Sequence, residues 1–307
     1  MLFSKLIFFL EVFIEKKYRL FMLLERPILL TSVMKKAITA SPKMGLVDAL
    51  GLLYRYGIKR LVVVDGNRPV GIVTEKDLAR ATSTFNGRDI GEMRVGEIMS
   101  ENLIAVGKNN SIYDCAKLMR DNKISSVIVA NADGTLGGII TKTDLVGVFL
   151  INDVTGAEVS NHMHRKVVTV APKDLLFVVQ SVLVNNRISR VVVAQKNRPV
   201  GIITYRDFLP AKTANWIREY EEPDDLAELK ADSRFNEFNV NSLDHAITFR
   251  AEDIMTRNPV VINKNEFLFQ AALLMVRNRV SGLPVVHNDL LAGIITKTDI
   301  VNSIADM

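Results

Sequence analysis

The stretch Gly71-Ile-Val-Thr-Glu-Lys-Asp77-Leu78 recurs three more times along the chain as a Gly-Ile-x-Thr-x-x-Asp pattern, called here the closing motif. The other copies are Gly138-Ile-Ile-Thr-Lys-Thr-Asp144, Gly201-Ile-Ile-Thr-Tyr-Arg-Asp207 and Gly293-Ile-Ile-Thr-Lys-Thr-Asp299. A methionine precedes each copy (Met34, Met99, Met163 and Met255), with Met-to-Gly separations of 37, 39, 38 and 38 residues. This constant spacing predicts four structural repeats of about 45–50 residues, numbered 1 to 4 in chain order.

Each repeat reads in the order β-α-β-β-α. The methionine is followed by a short β-prone stretch, called here the opening segment, and then by a helix. In repeat 1 that helix has Leu46, Ala49, Leu50 and Leu53 at the i, i+3, i+4, i+7 spacing of an amphipathic helix. A β-branched run at 61–64, a turn and a second strand follow, and a second helix begins around the closing Asp. The sequence therefore predicts an α/β fold of the α+β type.

Repeats 1 and 3 resemble each other, and so do repeats 2 and 4. Arg60 and Arg190 directly precede the β-branched run in repeats 1 and 3, whereas Ser126 and Gly282 occupy this position in repeats 2 and 4. A unit this small buries too little surface alone, so we expect adjacent repeats to pair as pseudo-twofold modules. The predicted domains are tandem module 1 at 31–150, with repeats at about 31–85 and 95–150, and tandem module 2 at 158–307, with repeats at about 158–211 and 251–307.

Two segments lie outside this pattern. The apolar N-terminal extension at 1–30 is interrupted by charges, so we predict neither a transmembrane segment nor a signal peptide. Three interpretations of this extension stay open. It is an amphipathic helix that caps the fold or a partner, or it is a helix that lies on a membrane surface. Alternatively, the start codon is assigned too early, and translation starts at Met22 or Met34. The insertion at about 212–250, which contains Trp216, is either a long linker or a partner-docking or lid segment.

The composition excludes several classes of protein. Of 307 residues, 39 are basic and 34 acidic, and this excess of +5 suits anionic small ligands but is too small and dispersed to favour nucleic acid. Cys115, the single cysteine, rules out intramolecular disulfides, fits a reducing, cytoplasmic setting and lies at a predicted core position. His162 and His164 have no ligand cluster beside them in the sequence, so we predict solvated histidines and no metal site. No catalytic sequence motif is found, so we predict that the protein is not an enzyme.

The closing motif allows two interpretations. Thr-x-x-Asp is nearly a helix capping box, in which both side chains satisfy backbone groups and bind nothing else. Alternatively, the Asp oxygens suit the paired hydroxyls of a ribose, and the Thr hydroxyl and helix N–H groups suit phosphate oxygens. Arg60 and Arg190 would then add phosphate contacts.

Taken together, these features resemble four CBS domains, the family named after cystathionine β-synthase. The resemblance rests on the apolar-Met opening, the β-branched run after a short basic or Ser-containing turn, and the closing motif. It covers about residues 30–307 apart from the insertion. It implies repeats that pair sheet against sheet and bind AMP, ADP, ATP, S-adenosylmethionine or NAD as regulatory ligands, with no catalytic cofactor.

The resemblance also implies roles for individual residues. The closing Asp would hold ribose, the motif Thr would contact ribose or phosphate, basic residues would contact phosphate, and the opening segment would enclose adenine. The implied ribose residues are Asp77, Asp144, Asp207 and Asp299, and the hydroxyl residues are Thr74, Thr141, Thr204 and Thr296. The implied phosphate residues are Arg60, Arg190, Lys76 and Arg206, and the adenine-side residues are Thr39 and Thr169.

Because Ser126 and Gly282 cannot supply a cation, we expect repeats 1 and 3 to bind charged nucleotides better than repeats 2 and 4. The leading hypothesis is a non-catalytic sensor, in which an adenosyl ligand between paired repeats biases module geometry or the affinity for a regulated protein. Four repeats in one chain also resemble the γ subunit of AMP-activated protein kinase in layout only, and energy sensing is one role that we expect of such a sensor. The alternative is a scaffold that docks a partner through its modules and the insertion. A homodimer is compatible with both.

Overall fold

The computed structural model describes residues 28–83, 90–152, 156–209 and 249–306. Nearly all of the N-terminal extension and of the insertion, including Trp216, lies outside these ranges, so the interpretations of both segments stay predictions. In the described ranges, no helix combines the length and the apolar character that crossing a bilayer requires.

Repeat 1 shows how the sequence pattern produces the fold. The apolar positions Leu46, Ala49, Leu50 and Leu53 form one buried face of a helix, as their spacing predicts. The first strand pairs parallel with the second, and the second pairs antiparallel with the third through a tight turn. The elements of repeat 1 are α1 (Leu30–Val33), β1 (Thr39–Ala40), α2 (Leu46–Arg55), β2 (Arg60–Asp65), β3 (Arg68–Thr74) and α3 (Glu75–Ser83).

The other repeats follow the same order. Repeat 2 contains α4 (Val95–Ile98), β4 (Ala105–Gly107), α5 (Ile112–Asp121), β5 (Ser126–Ala130), β6 (Leu136–Thr141) and α6 (Lys142–Asn152). Repeat 3 contains α7 (Val159–His162), β7 (Thr169–Val170), α8 (Leu176–Asn185), β8 (Arg190–Gln195) and β9 (Arg198–Thr204). Repeat 4 contains α9 (Ala251–Ile254), β10 (Thr256–Arg257), β11 (Ile262–Asn263), α10 (Leu268–Arg277), β12 (Gly282–His287), β13 (Leu290–Thr296) and α11 (Lys297–Ala305).

Repeat 3 differs from the other repeats in two places. Its closing motif continues into a 3₁₀ turn at Tyr205–Phe208, where the other repeats begin an α-helix. Its sheet also gains a fourth strand, because β10 of repeat 4 pairs antiparallel with β9. The predicted α/β class with four repeats in two tandem modules is confirmed, and in the described residues repeat 3 departs from the predicted β-α-β-β-α order at its second helix.

The methionine and the closing glycine, which define each repeat in the sequence, contact their counterparts in the paired repeat. A Cβ atom at Gly71 would lie 2.5 Å from Sδ of Met99, and one at Gly138 would lie 3.3 Å from Sδ of Met34. Repeats 3 and 4 exchange the same contacts, Met255 with Gly201 and Met163 with Gly293. The closing glycine therefore leaves room for the methionine of its paired repeat, and this explains why both recur.

Two kinds of contact join the four repeats. Between the sheets of repeats 1 and 2 lies a small core of Ala37, Val62, Ile128 and Ile139. Two larger cores follow a different pairing, since one consists mainly of apolar residues of repeats 1 and 3 and the other mainly of those of repeats 2 and 4. The first helix of each repeat packs into the core of its paired repeat, as Val95 does in the first core and Leu30 in the second. Sheet contacts therefore build module 1, and the larger cores attach module 1 to module 2.

Candidate ligand-binding site

The closing motif forms the same capping contact in all four repeats. In repeat 1, Oδ2 of Asp77 accepts hydrogen bonds from the backbone nitrogen of Thr74 at 2.9 Å and from its Oγ1 at 2.6 Å. The equivalent pairs are Thr141–Asp144, Thr204–Asp207 and Thr296–Asp299. The capping interpretation therefore holds for the Thr hydroxyl and for one carboxylate oxygen, so a ligand role for each Asp rests on Oδ1.

In repeats 2 and 4, a side chain from the paired repeat lies against this second oxygen. Nζ of Lys35 lies 2.6 Å from Oδ1 of Asp144, and Nε2 of His164 lies 2.9 Å from Oδ1 of Asp299. Lys35 and His164 each follow a methionine directly, in the opening segments of repeats 1 and 3. His164 is thus exposed, as the sequence suggested, but it also contacts a buried carboxylate.

Asp144 is the most distinctive of the four aspartates. Its side chain is 2% exposed, and its Oδ1 faces the ammonium group of Lys35, whose side chain is 69% exposed. The partner of this buried oxygen is thus a side chain that lies largely in solvent. A hydroxyl group that enters the cleft could therefore donate to Oδ1 in place of Lys35.

Arg60 and Arg190 reach across to the paired repeat. Nη1 of Arg60 donates to the carbonyl oxygen of Ser125 at 2.6 Å, and Nη1 of Arg190 donates to that of Ser281. Burial lowers the pKa of both guanidinium groups to about 10, so both stay charged at neutral pH. The nearby carboxylates that oppose this lowering include Asp144 for Arg60 and Asp299 for Arg190. Each arginine therefore lies near the closing-motif Asp of the paired repeat.

The crossing of Arg190 explains the glycine at position 282. A Cβ atom at Gly282 would overlap the guanidinium group of Arg190. In module 1 the equivalent position holds Ser126, whose side chain coexists with the crossing of Arg60. Because each arginine reaches the paired repeat, the alternation in the sequence does not show that repeats 2 and 4 lack a cation.

Lys76 and Arg206, which the resemblance assigned to phosphate, contact protein groups between repeats 1 and 3. Arg206 pairs with the carboxylate of Glu75 and donates from Nη2 to the carbonyl oxygen of Ile58 at 3.0 Å. The Lys76 ammonium lies 5.6 Å from the ring centroid of Tyr205, within cation–π range. The donor groups of Arg206 thus join the two modules in this structure, and the phosphate role of Lys76 and Arg206 stays a prediction.

A cavity of about 440 Å³ lies in the cleft between repeats 1 and 2. This volume is within the usual range of small-molecule pockets. The opening segment of repeat 1 forms one wall, and the turns of the two hairpins form the others. Its lining includes Lys36, Ala37, Thr39, Val64, Asn67 and Thr135. Thr39 thus lines the cavity, while Thr169, also assigned to adenine, lies in β7 opposite Val192.

Cations gather where the four repeats meet. This group, called here the junction cluster, consists of Lys59, Arg60, Lys142, Arg190 and Lys297. Burial is the largest cause and nearby cations add to it, so that the pKa of each of the three lysines is lowered to about 8. The cluster therefore concentrates positive charge that the described carboxylates near it, chiefly Glu75, Asp144 and Asp299, only partly offset.

Sequence reasoning missed Lys35, His164, Lys142 and Lys297. A signal for the first two was present, because they are the residues after the methionine in repeats 1 and 3, where repeats 2 and 4 have Ser100 and Thr256. Lys142 and Lys297 occupy variable positions of the closing motif. Their cross-repeat contacts depend on how the modules pack, which spacing along the chain does not report.

Comparison with known proteins identifies the family. The CBS domain family matches residues 30–84, 95–151, 157–213 and 251–306. The chain therefore belongs to the CBS domain family and carries four copies of the domain.

Its relatives include archaeal proteins of similar length. Protein MJ1225 of Methanocaldococcus jannaschii is 26% identical over 286 residues, which cover 88% of this chain and 96% of that protein. The crystal structure of MJ1225, described as a candidate archaeal homologue of γ-AMPK, matches with a TM-score of 0.75 at 25% identity and covers 90% of this chain and 99% of that one. A conserved protein of Pyrococcus horikoshii shows the same fold, with a TM-score of 0.59 at 18% identity and coverage of 90% and 100%.

Proposed function

We propose that the protein is a non-catalytic sensor that binds adenine nucleotides in the clefts marked by Asp144 and Asp299. The observation that carries this proposal is Oδ1 of Asp144, which is buried and faces the exposed ammonium group of Lys35. A ribose hydroxyl would donate to this oxygen in place of Lys35. Lys35, whose side chain is 69% exposed, would then be able to turn toward a phosphate.

The dimensions of the cleft favour a nucleotide. Along β2, Arg60 is the first residue at one end and Val64 lines the cavity near the other. Four residues at about 3.3 Å each separate them by about 13 Å. A base in the cavity, a ribose at Asp144 and a phosphate chain toward Arg60 would cover this span, which a free nucleoside would not. The polar groups of Thr39, Asn67 and Thr135 would provide hydrogen bonds to the base.

The placement of the arginines supports the opposite order of sites from the one expected from sequence. Arg60 lies near Asp144, and Arg190 lies near Asp299, so the clefts of repeats 2 and 4 receive the cations. A charge-assisted hydrogen bond contributes about 1.5–3 kcal/mol, or about 10- to 150-fold in affinity. We therefore propose that charged nucleotides bind at Asp144 and Asp299 more tightly than at Asp77 and Asp207.

The similarity to MJ1225 supports adenine nucleotides, and with them an energy-sensing role, over other adenosyl ligands. A sensor of this kind works because its ligand binds two conformations of the protein with different affinities. The regulated protein would distinguish those conformations. The cores that join repeat 1 to repeat 3, and repeat 2 to repeat 4, are where a ligand-dependent shift between modules would occur.

Isothermal titration with ATP, AMP and S-adenosylmethionine tests the proposal. We expect the wild-type protein to bind an adenine nucleotide, and Asp144→Ala and Asp299→Ala each to remove one site. Asp77→Ala and Asp207→Ala are matched controls, because they remove the same type of helix cap. If the folded wild-type protein binds none of the three ligands, the sensor proposal fails. If only the two control variants lose binding, the order of the sites is wrong.

A further inference from the structure

Two lysines of the closing motifs cross from one module to the other. Lys142 directly follows Thr141 in repeat 2, yet its Nζ donates to Oγ1 of Thr298 in repeat 4 at 2.9 Å. Lys297 directly follows Thr296 in repeat 4, and its Nζ donates to Oγ1 of Thr143 in repeat 2 at 3.0 Å. The exchange is reciprocal, and each lysine contacts the threonine that directly precedes the closing Asp of the opposite module.

The charges around each lysine agree with this placement. Against the lowering effect of burial, the carboxylate of Asp299 raises the pKa of Lys142, and that of Asp144 raises the pKa of Lys297. Arg190 is a neighbour of both lysines, and Lys35 is a neighbour of Lys297. Lys297 therefore shares the surroundings of the Asp144 site, and Lys142 shares those of the Asp299 site.

The present partners of the two lysines are weak ones. A neutral threonine hydroxyl binds an ammonium group less strongly than a phosphate oxygen does. Thr143 and Thr298 are both exposed, so their contacts also compete with water. Glu75, a carboxylate close to the junction cluster, already pairs with Arg206. An incoming anion would thus be a better partner for either ammonium group than the hydroxyl it now contacts.

We infer that each lysine positions the phosphate of the ligand bound to the opposite module. Lys142 completes the Asp299 site, and Lys297 completes the Asp144 site. This inference rests on the proposed function. Its consequence is that a bound nucleotide contacts both modules at once, which links ligand binding to the packing of one module against the other. Because the two sites draw on one junction cluster, a second anionic ligand binds more weakly than the first.

Single-site variants test the inference. Asp144→Ala leaves the Asp299 site, and Asp299→Ala leaves the Asp144 site. Into each background we would introduce Lys142→Gln or Lys297→Gln and measure ATP affinity by isothermal titration. We expect Lys142→Gln to weaken ATP about tenfold or more with Asp144→Ala, and less than about threefold with Asp299→Ala. Lys297→Gln should show the opposite dependence on background.

Two controls separate phosphate contact from loss of structure. Adenosine, which has no phosphate, should bind each lysine variant within about twofold of its background, and Lys142→Arg should restore most of the ATP affinity. Thermal unfolding checks that each variant folds. If a glutamine variant does not fold, Lys142→Arg or Lys297→Arg takes its place and is titrated with ATP and with adenosine. If the arginine variant still binds ATP more tightly than adenosine, the result supports the inference. If it binds both equally, the result opposes the inference.

The failure of this inference is distinct from that of the proposed function. If ATP binds the wild type but each lysine acts only on the site of its own module, the crossing role is wrong and the sensor proposal stands. Equal losses in both backgrounds also overturn it, because they indicate general attraction by the junction cluster. If the wild type binds no adenosyl ligand, both proposals fall.

Discussion

Nζ of Lys35 lies 2.6 Å from Oδ1 of Asp144, although the lysine side chain is 69% exposed and the aspartate side chain only 2%. The aspartate is fixed by its hydrogen bonds to Thr141, whereas the lysine can turn into solvent without disturbing any core. A ligand hydroxyl can therefore replace Lys35 at the carboxylate. The displaced ammonium group then becomes available to the phosphate of the same ligand.

The first prediction concerns the contact between Lys35 and Asp144. Lys35→Met should weaken ATP binding at the Asp144 site by about tenfold or more, because it removes a charge-assisted contact. Adenosine affinity should stay within about threefold of the wild type. Titration in an Asp299→Ala background isolates the site. Lys117→Met, on the surface of α5, is the control for a change of net charge, and an equal loss with that variant would contradict the prediction.

The second prediction concerns the space that Gly282 leaves for Arg190. A Cβ atom there would overlap the guanidinium group and lie 3.1 Å from the carbonyl oxygen of Ile295. Gly282→Ala should therefore reduce the free energy of unfolding by about 1–3 kcal/mol. Gly147→Ala in α6 is the matched control, because its Cβ atom meets no neighbour within 4 Å and should stabilise the helix by about 0.5–1 kcal/mol. Urea unfolding measures both, and equal midpoints would refute the explanation.

The third prediction distinguishes two closing glycines by the atoms that surround them. A Cβ atom at Gly138 would lie 2.9 Å from the carbonyl oxygen of Lys35, whose backbone is hydrogen-bonded to Ile139 in both directions. The three atoms nearest to a Cβ atom at Gly71 all belong to the side chain of Met99. Because methionine adapts its shape and a paired backbone does not, Gly138→Ala should destabilise the protein more than Gly71→Ala, by about 1 kcal/mol. Thermal unfolding of both variants checks the order, and the reverse order would be evidence against it.

The repeat pattern predicted the architecture well because every repeat keeps the same order of elements. The Met and Gly positions recur because each contacts its counterpart in the paired repeat, and the helix faces follow from apolar spacing. The candidate site was less accessible to sequence reasoning. Arg60 was assigned to its own repeat, but it reaches Ser125 in the next one, and Arg206 was assigned to phosphate, but it pairs with Glu75. Long side chains at the edges of repeats take their partners from packing between repeats, which spacing along one chain does not encode.

The last prediction concerns pH. Burial lowers the pKa of Lys142 and Lys297 to about 8, far below the 10.5 of a free lysine. The charged groups around them are Arg60, Arg190 and Asp299 for Lys142, and Lys59, Arg190, Asp144 and Lys35 for Lys297. Since the unfolded chain holds these protons up to a higher pH, the destabilising effect of the two buried charges is complete below about pH 8. The free energy of unfolding then rises as the pH increases from about 8 to about 10.5, because the folded protein loses these two charges first.

Ligand binding should respond to pH in the opposite direction. A phosphate beside these lysines favours their charged forms, so ATP affinity should fall as the pH rises through about 8, and binding at about pH 8.5 should take up protons. Titrations in Tris and in HEPES, which differ in ionisation enthalpy, measure this uptake. The uptake should shrink in the Lys142→Gln/Lys297→Gln double variant and persist in Lys117→Met. Binding heats that do not depend on the buffer in the wild type would show that the two lysines do not titrate with the ligand, and would place the phosphate elsewhere than at the junction cluster.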